Sequence, residues 1–192
     1  MSTPTTFSPA AGITLYSVDP THTQVAFAVR HLMIATVRGS FKDVQGTVRI
    51  DAADPSRAAV DVRVNIGSID TREPQRDAHL KSADFFDAER FPVMTFRGGR
   101  LTGGIDGNFK LAGDLTIRDV TREVVFDVTP EGRGMDPWGN ERAGFSATAK
   151  ISRGEFGLKW NQALETGGVV VGDEVRISID VELVKQAVAA TA

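Results

Sequence analysis

EVRISIDVEL, residues 174–183, alternates without interruption. Val175, Ile177, Ile179, Val181 and Leu183 fall on one side of an extended chain. Arg176, Ser178, Asp180 and Glu182 fall on the other. A period of two with one polar face marks an antiparallel strand whose second face is buried. Three more stretches read the same way. AVDVRVNI (59–66) sets Val60, Val62, Val64 and Ile66 against Asp61, Arg63 and Asn65. FKLAGDLTI (109–117) sets Phe109, Leu111, Leu115 and Ile117 against Lys110, Asp114 and Thr116. AGFSATAKI (143–151) sets Phe145, Ala147, Ala149 and Ile151 against Ser146, Thr148 and Lys150.

Less regular strands complete the set. QVAFAVRHLM (24–33) puts Val25, Phe27, Val29, His31 and Met33 together; GTVRID (46–51), VMTFRGGRL (93–101, with Phe96) and EVVFDVT (123–129) follow. Turn signals lie at Asp54-Pro55, Asp106-Gly107-Asn108, Pro130-Glu131-Gly132 and Gly172-Asp173, and the Gly-rich GGRLTGG and TGGVVVG read as hairpin turns. About eight or nine half-apolar strands must hide one face; a sandwich or a closed barrel does this, and closure also removes the sheet edges. The fold class read from the residues is all-β, with one or two short helices in inter-strand inserts. Small inward residues, Gly113, Ala147 and Ala149, leave volume inside.

The chain has 192 residues, enough for one domain with a sizeable core. The reading is a flexible tail over 1–14, a barrel domain over 15–185 and a second tail over 186–192. Apolar residues are 41% and the net charge is −3, with Lys and Arg scattered rather than gathered on a stripe, which argues against a nucleic-acid partner. The absence of cysteine excludes disulfides, thiolate nucleophiles and Cys-based metal sites. The opening MSTPTTFSPAAGIT has no basic n-region and no apolar run of leader length, so a cytoplasmic location is expected. No stretch reaches roughly 18 apolar residues, so no stable membrane insertion is expected.

Two stretches break the alternation. RDAHLKSADFFD (76–87), preceded by SIDTREPQ, has Thr71 as a candidate N-cap and Pro74 in the first turn; Ser82 caps a second short turn carrying Asp84, Phe85 and Phe86. RGEFGLKWNQALETGG (153–168) places Phe156 and Trp160 at i, i+4. Aromatic-rich inserts between strands suit lids or plugs at a barrel mouth.

Taken together, VDPTHTQVAFAVRHLMIATVRGSF, SIDTREPQRDAHLKSADFFDAERFPVMTF, GDLTIRDVTREV, DPWGNERAGFSATAKISRGEFGLKWN and GGVVVGDEVRISIDVEL resemble the YceI-like, polyisoprenoid-binding, lipocalin-like family from about residue 16 to 184. The resemblance implies an all-β fold, an extended antiparallel eight-stranded lipocalin-like barrel with one or two short helices in inter-strand inserts, whose long apolar pore takes a polyisoprenoid chain or a related lipid, amide or quinone tail. It also implies a homodimer. Many members carry a leader and are periplasmic, a pattern from which this chain departs.

Three histidines, His22, His31 and His79, are candidates for chemistry. In RDAHLKSADFFD, His79 oriented by Asp77 or Asp84 reads as a general base, or the charges are scaffolding that seats two rings. No GxSxG elbow accompanies Ser82. His22 and His31 stand an odd number of residues apart and face opposite sides of a regular strand, so no metal site is expected. His31 is either a hydrogen-bonded core residue or a head-group contact inside the tube. Trp138 in DPWGNERAGF is a plug or a pocket wall, and Arg142 pairs with a nearby carboxylate. The glycine runs lack the GKS or GKT of a P-loop, and IDGN is too short for an EF-hand loop.

The function expected is non-enzymatic binding, storage or transport of a long-chain apolar ligand (polyisoprenoid, isoprenoid quinone, fatty acid or amide), with no cofactor. The ligand-binding residues expected are Phe27, Val29, His31, Met33, Phe85, Phe86, Phe96, Trp138, Phe156 and Trp160. Arg30 and Arg76 are the head-group candidates, chosen among mouth arginines that include Arg38, Arg72 and Arg153. The alternatives are an enzyme acting on an apolar substrate with His31 or His79 as base, and a ligand-free interaction module.

Overall fold

A computed structural model describes residues 12–51, 53–104, 107–165 and 167–187. In chain order they form β1 (Ile13–Val18), β2 (Gln24–His31), β3 (Ala35–Phe41), β4 (Val44–Asp51), β5 (Ala59–Asn65), β6 (Ile69–Asp70), α1 (Pro74–Lys81), β7 (Val93–Thr102), β8 (Phe109–Ile117), β9 (Val120–Met135), β10 (Glu141–Ser152) and β11 (Val171–Lys185).

Every pairing is antiparallel, and the sheet closes between β1 and β11 into an eight-stranded barrel. Eleven strands make eight staves because three staves are broken. β1 and β2 lie end to end along β11, with Val18 opposite Leu183 and Gln24 opposite Asp180. β4 and β3 follow them on the next stave, pairing Thr47 with Ser17 and Phe41 with Val25. β5 and β6 follow in turn, pairing Val64 with Val44 and Ile69 with Phe41.

The breaks have local causes. At the first, Asp19 accepts hydrogen bonds from the Thr21 amide (2.9 Å) and hydroxyl, which holds Asp19-Pro20 off the ladder. The other two breaks are stitched together by Ser68. Its hydroxyl accepts from the amides of Lys42 (3.1 Å) and Asp43 (3.0 Å) and donates to Asn65 O (2.6 Å).

The alternation of β5, β8, β10 and β11 holds. Val60, Val62 and Val64, and Val175 through Leu183, point inward in step. Each large apolar side chain taken from water in this way contributes about 1.5–3 kcal/mol before ordering costs. The strand expected over 24–33 stops at His31. Leu32 and Met33 take positive φ (50° and 61°) in a tight turn closed by Ile34 N donating to His31 O, so Met33 leaves the inward row and is 55% exposed.

The turn read at Pro130-Glu131-Gly132 is instead the middle of β9, where Phe145 pairs with Pro130 and Gly144 with Gly132. Glu131 is the extra residue of a β-bulge, and a bulge is where a strand tolerates proline. Gly98 and Gly99 likewise lie inside β7, and Gly172-Asp173 inside β11 at a register shift. Asp106 falls outside the described residues. At the amino end, Ile13 and Thr14 already pair with Asp51 and Ile50, inside the stretch read as a tail. At the other end, Gln186 donates from its amide to Leu15 O.

The two inserts meet at one end of the barrel. α1 starts on Glu73, whose carboxylate accepts from Gln75 N (3.2 Å) and Arg76 N (2.7 Å), with Pro74 in the first turn. Thr71 is not the cap. It is buried, and its amide and hydroxyl both donate to Asp77. Ser82 ends the helix by donating to His79 O (2.7 Å) and organises the next turn by accepting from Asp84 N (3.3 Å). Among the described residues no helix is long and apolar enough to cross a membrane.

Candidate ligand-binding cavity

The barrel interior is hollow. A cavity of about 290 Å³ runs between the two ends of the tube, near the lower edge of the roughly 300–1,000 Å³ usual for ligand pockets. On β11 alone its wall extends from Val171 to Leu183, roughly 40 Å of strand at about 3.3 Å per residue, or about 30 Å along a tilted barrel axis. A volume this modest drawn out over such a length is a thread, not a chamber.

Rings shape the thread. Phe96 packs edge-on against Phe126 at 5.2 Å, Phe27 tilts against Phe41 at 5.7 Å, and Phe109 meets Phe145 at 6.3 Å. The glycines beneath them are seats, not voids. A Cβ on Gly113 would stand 2.5 Å from Gly98 Cα and 2.6 Å from Phe96 Cζ; one on Gly39 would stand 2.5 Å from Phe27 Cζ. The volume expected at Gly113 is therefore filled by Phe96, while Ala147 does border the cavity.

The lid end is closed by the two inserts. Leu80, Phe85 and Phe86 come from the α1 segment and Leu158 from the 153–170 segment. They are locked by Trp160, whose ring lies 5.4 Å from Phe85 and 4.7 Å from His79. The far end, by the β7–β8 and β9–β10 hairpins, is bordered by Leu101, Phe109, Phe145 and Arg133.

Polar groups on the wall are few among the described residues: Thr23, Thr95, Arg133 and Arg153. Arg133 faces inward because the Glu131 bulge shifts the alternation of β9 by one residue; it pairs with the inward-facing Ala143. Arg153 continues the inward row Phe145, Ala147, Ala149, Ile151 one step past the end of β10. It is 7% exposed, and burial pushes its pKa down, opposed by the Asp173 charge.

Of the residues expected to bind, Phe27, Val29, Phe85, Phe86 and Phe96 line the cavity. Phe85 is also buried in the core, so wall and core are the same residue here. The others do not reach the wall. Phe156 is 1% exposed and packs in the core behind it. Trp160 is the lid's wedge. His31, the last residue of β2, is half-buried between Ala35 and Val171 beyond the wall. Met33 lies in the exposed turn.

Trp138 is 80% exposed. Asp136 accepts from Trp138 N (3.0 Å) and Asn140 N (2.8 Å), closing a tight hairpin tip beyond the rim and turning the indole outward. Neither head-group candidate faces the tube: exposed Arg30 donates to Met33 O (2.6 Å), and Arg76 donates to Thr71 Oγ1 and O. Arg133 and Arg153 take their place on the wall. The signal for Arg153 was in the sequence, as parity along β10; for Arg133 it was hidden by the bulge.

The candidate bases sit outside the cavity. His79 Nε2 lies 2.9 Å from Asp84 Oδ2, and its ring stacks edge-on against Phe85 and Trp160. Asp19, His22 and Glu182 bring potential ligand atoms within 4.8 Å of one another. The place of a cation among them is taken by Arg142, which donates to Asp19 (2.6 Å), Asp136 (2.8 Å) and Glu182. Hydrogen bonds from Thr21, His22 and Arg142 hold the Asp19 carboxyl well below the usual range. Burial alone would raise Asp136, but hydrogen bonds from Asn140, Arg142 and Trp138 N outweigh it and also hold it well below that range.

A closed antiparallel barrel with an apolar bore and a lid made of two inserts defines a lipocalin-like class. The particular family follows from comparison: the YceI-like domain matches residues 16–183, and the chain belongs to that family. A UPF0312 protein of Staphylococcus aureus (strain N315) is 36% identical, covering 88% of this chain and 97% of its own. The crystal structure of a Campylobacter jejuni YceI protein is 31% identical with a TM-score of 0.70, covering 82% of this chain and 90% of its own. Burkholderia cenocepacia BcnA superposes with a TM-score of 0.74 at 22% identity, over 86% of this chain and 98% of its own. A polyisoprenoid binding domain from Saccharophagus degradans superposes with a TM-score of 0.69 at 13% identity, over 89% and 98%. These last two likenesses are of fold.

Proposed function

We propose that this protein is a non-enzymatic binder of a single long apolar chain, held lengthwise in the barrel. The observation that carries the reading is the shape and chemistry of the cavity: narrow, axial, and walled almost entirely by aliphatic and aromatic side chains. Polyisoprenoids, isoprenoid quinones, fatty acids and fatty amides share that outline. The polyisoprenoid-binding domain of Saccharophagus degradans has the same fold, which supports the reading without naming the ligand. Each buried methylene contributes about 0.8 kcal/mol, so ten give roughly 8 kcal/mol before association and ordering costs. Affinity then follows chain length more than any polar contact.

The test is native mass spectrometry of the protein before and after organic extraction, followed by reloading with prenols and fatty acids of graded length. One chain per barrel, with affinity rising with length until the bore is full, is the result expected. A protein that carries no lipid and takes none up overturns the reading.

A further inference from the structure

Among the described residues Arg153 is the one deeply buried charge on the cavity wall, and its hydrogen bonds are incomplete. Nε donates to Gly172 O (2.8 Å), Nη1 to Leu158 O (2.6 Å) and Trp160 O (2.8 Å), and Nη2 to Val171 O (3.2 Å). A guanidinium has five N–H groups; these bonds use four, leaving one on Nη2. All four acceptors are neutral carbonyls, and no carboxylate of the described residues lies within ion-pair distance of Arg153. The neighbouring Asp173 spends an oxygen on Gly154 N (3.0 Å). A cation taken out of water without a direct counter-charge is costly. Here it stands at the lid end of an apolar bore, clamped by the backbone of the lid itself.

Resting on the chain-binding reading above, we propose that Arg153 recognises the head of the ligand. The bound molecule is an anionic amphiphile, a carboxylate or phosphate on a hydrocarbon chain. Its head lies against Arg153 under the lid, and its tail runs toward Phe109 and Phe145. An anionic oxygen there completes the donor set and neutralises the charge, while the rest of the wall sees only hydrocarbon. Arg133 at the far end is exposed and solvated, so its charge is already met by water.

The experiment compares dodecanoic acid, methyl dodecanoate and farnesyl phosphate, by displacement of a hydrophobic fluorophore at neutral pH. The intact protein binds the acid or the phosphate at least about tenfold more tightly than the ester, as a charge-assisted hydrogen bond in a dry site requires. The preferred anion identifies the head. R153Q closes that gap to about twofold or less while R133Q keeps it. Affinity for both anions no greater than for the ester, or a gap closed by R133Q instead, overturns the proposal and leaves the chain-binding reading standing. Failure of all three to bind removes the chain-binding reading itself.

Should R153Q not fold, a co-crystal of the unaltered protein with 12-bromododecanoic acid decides. Anomalous bromine density on the Phe109 and Phe145 side of the bore, away from Arg153, supports the proposed direction; bromine beside Arg153 overturns it.

Discussion

Gly113 shows how much a single missing side chain determines. Its Cα faces Gly98 across the β7–β8 pair, and the ring of Phe96 occupies the space both glycines leave. A methyl group there meets backbone atoms at 2.5–2.6 Å, which do not yield as a flexible side chain does. G113A is expected to destabilise the fold by about 1–3 kcal/mol, read from urea denaturation; a midpoint equal to that of the parent protein would show that Phe96 repacks freely. Arg142 works by charge. Asp19 and Asp136 have depressed folded-state pKa values, so their contribution is complete above the ordinary carboxylate pKa. It is lost as pH falls toward their folded values. R142Q is expected to lower the urea midpoint at pH 7 and to flatten its decline from about pH 5 downward. Parallel declines in the two proteins would remove Arg142 as the cause.

The elements owe their positions to different kinds of signal. β5, β8, β10 and β11 were legible as strands, faces included, because neighbouring side chains on an extended chain must point opposite ways. β2 was legible only to His31, since a turn through positive φ at Leu32 and Met33 leaves no mark when neither residue is glycine. The lid was legible as two aromatic-rich inserts, but not as one object. The contact of Trp160 with His79 and Phe85 joins segments far apart in sequence. W160A is expected to cost ~1–2 kcal/mol and to speed amide exchange in 74–92 and 153–170 together, with bound chain released faster. Exchange that rises in the second segment alone would mean that the inserts are not coupled.

For the whole molecule, the hollow bore has two consequences. Filling it with ligand stabilises the folded state by about 2.7 kcal/mol at a free concentration a hundredfold above Kd, so extraction of bound lipid should lower Tm by about 5–10 °C for a chain of this size. Filling it with protein should do the opposite of what core overpacking does. Ala147 borders the cavity on the middle of β10. A147F is expected to place a ring in the thread, abolish chain uptake and leave the Tm of the extracted protein unchanged or higher. A sharp fall in Tm would show that the space beside Ala147 is too narrow to take a side chain.

Alternation by itself determined that this chain is an antiparallel sheet with one apolar face, and that Phe27 and Val29 lie on it. That information is local, fixed by the geometry of consecutive residues. Closure into a barrel came with the family resemblance of its motifs. Only the tertiary structure decided that eleven strands make eight staves, that Arg133 turns inward after the Glu131 bulge, that Trp138 projects into solvent and that the two inserts share one end. Trp138 is turned out by the local hairpin tip that Asp136 closes; the other three depend on contacts between distant segments, and in β9 one extra residue reverses every side chain that follows it.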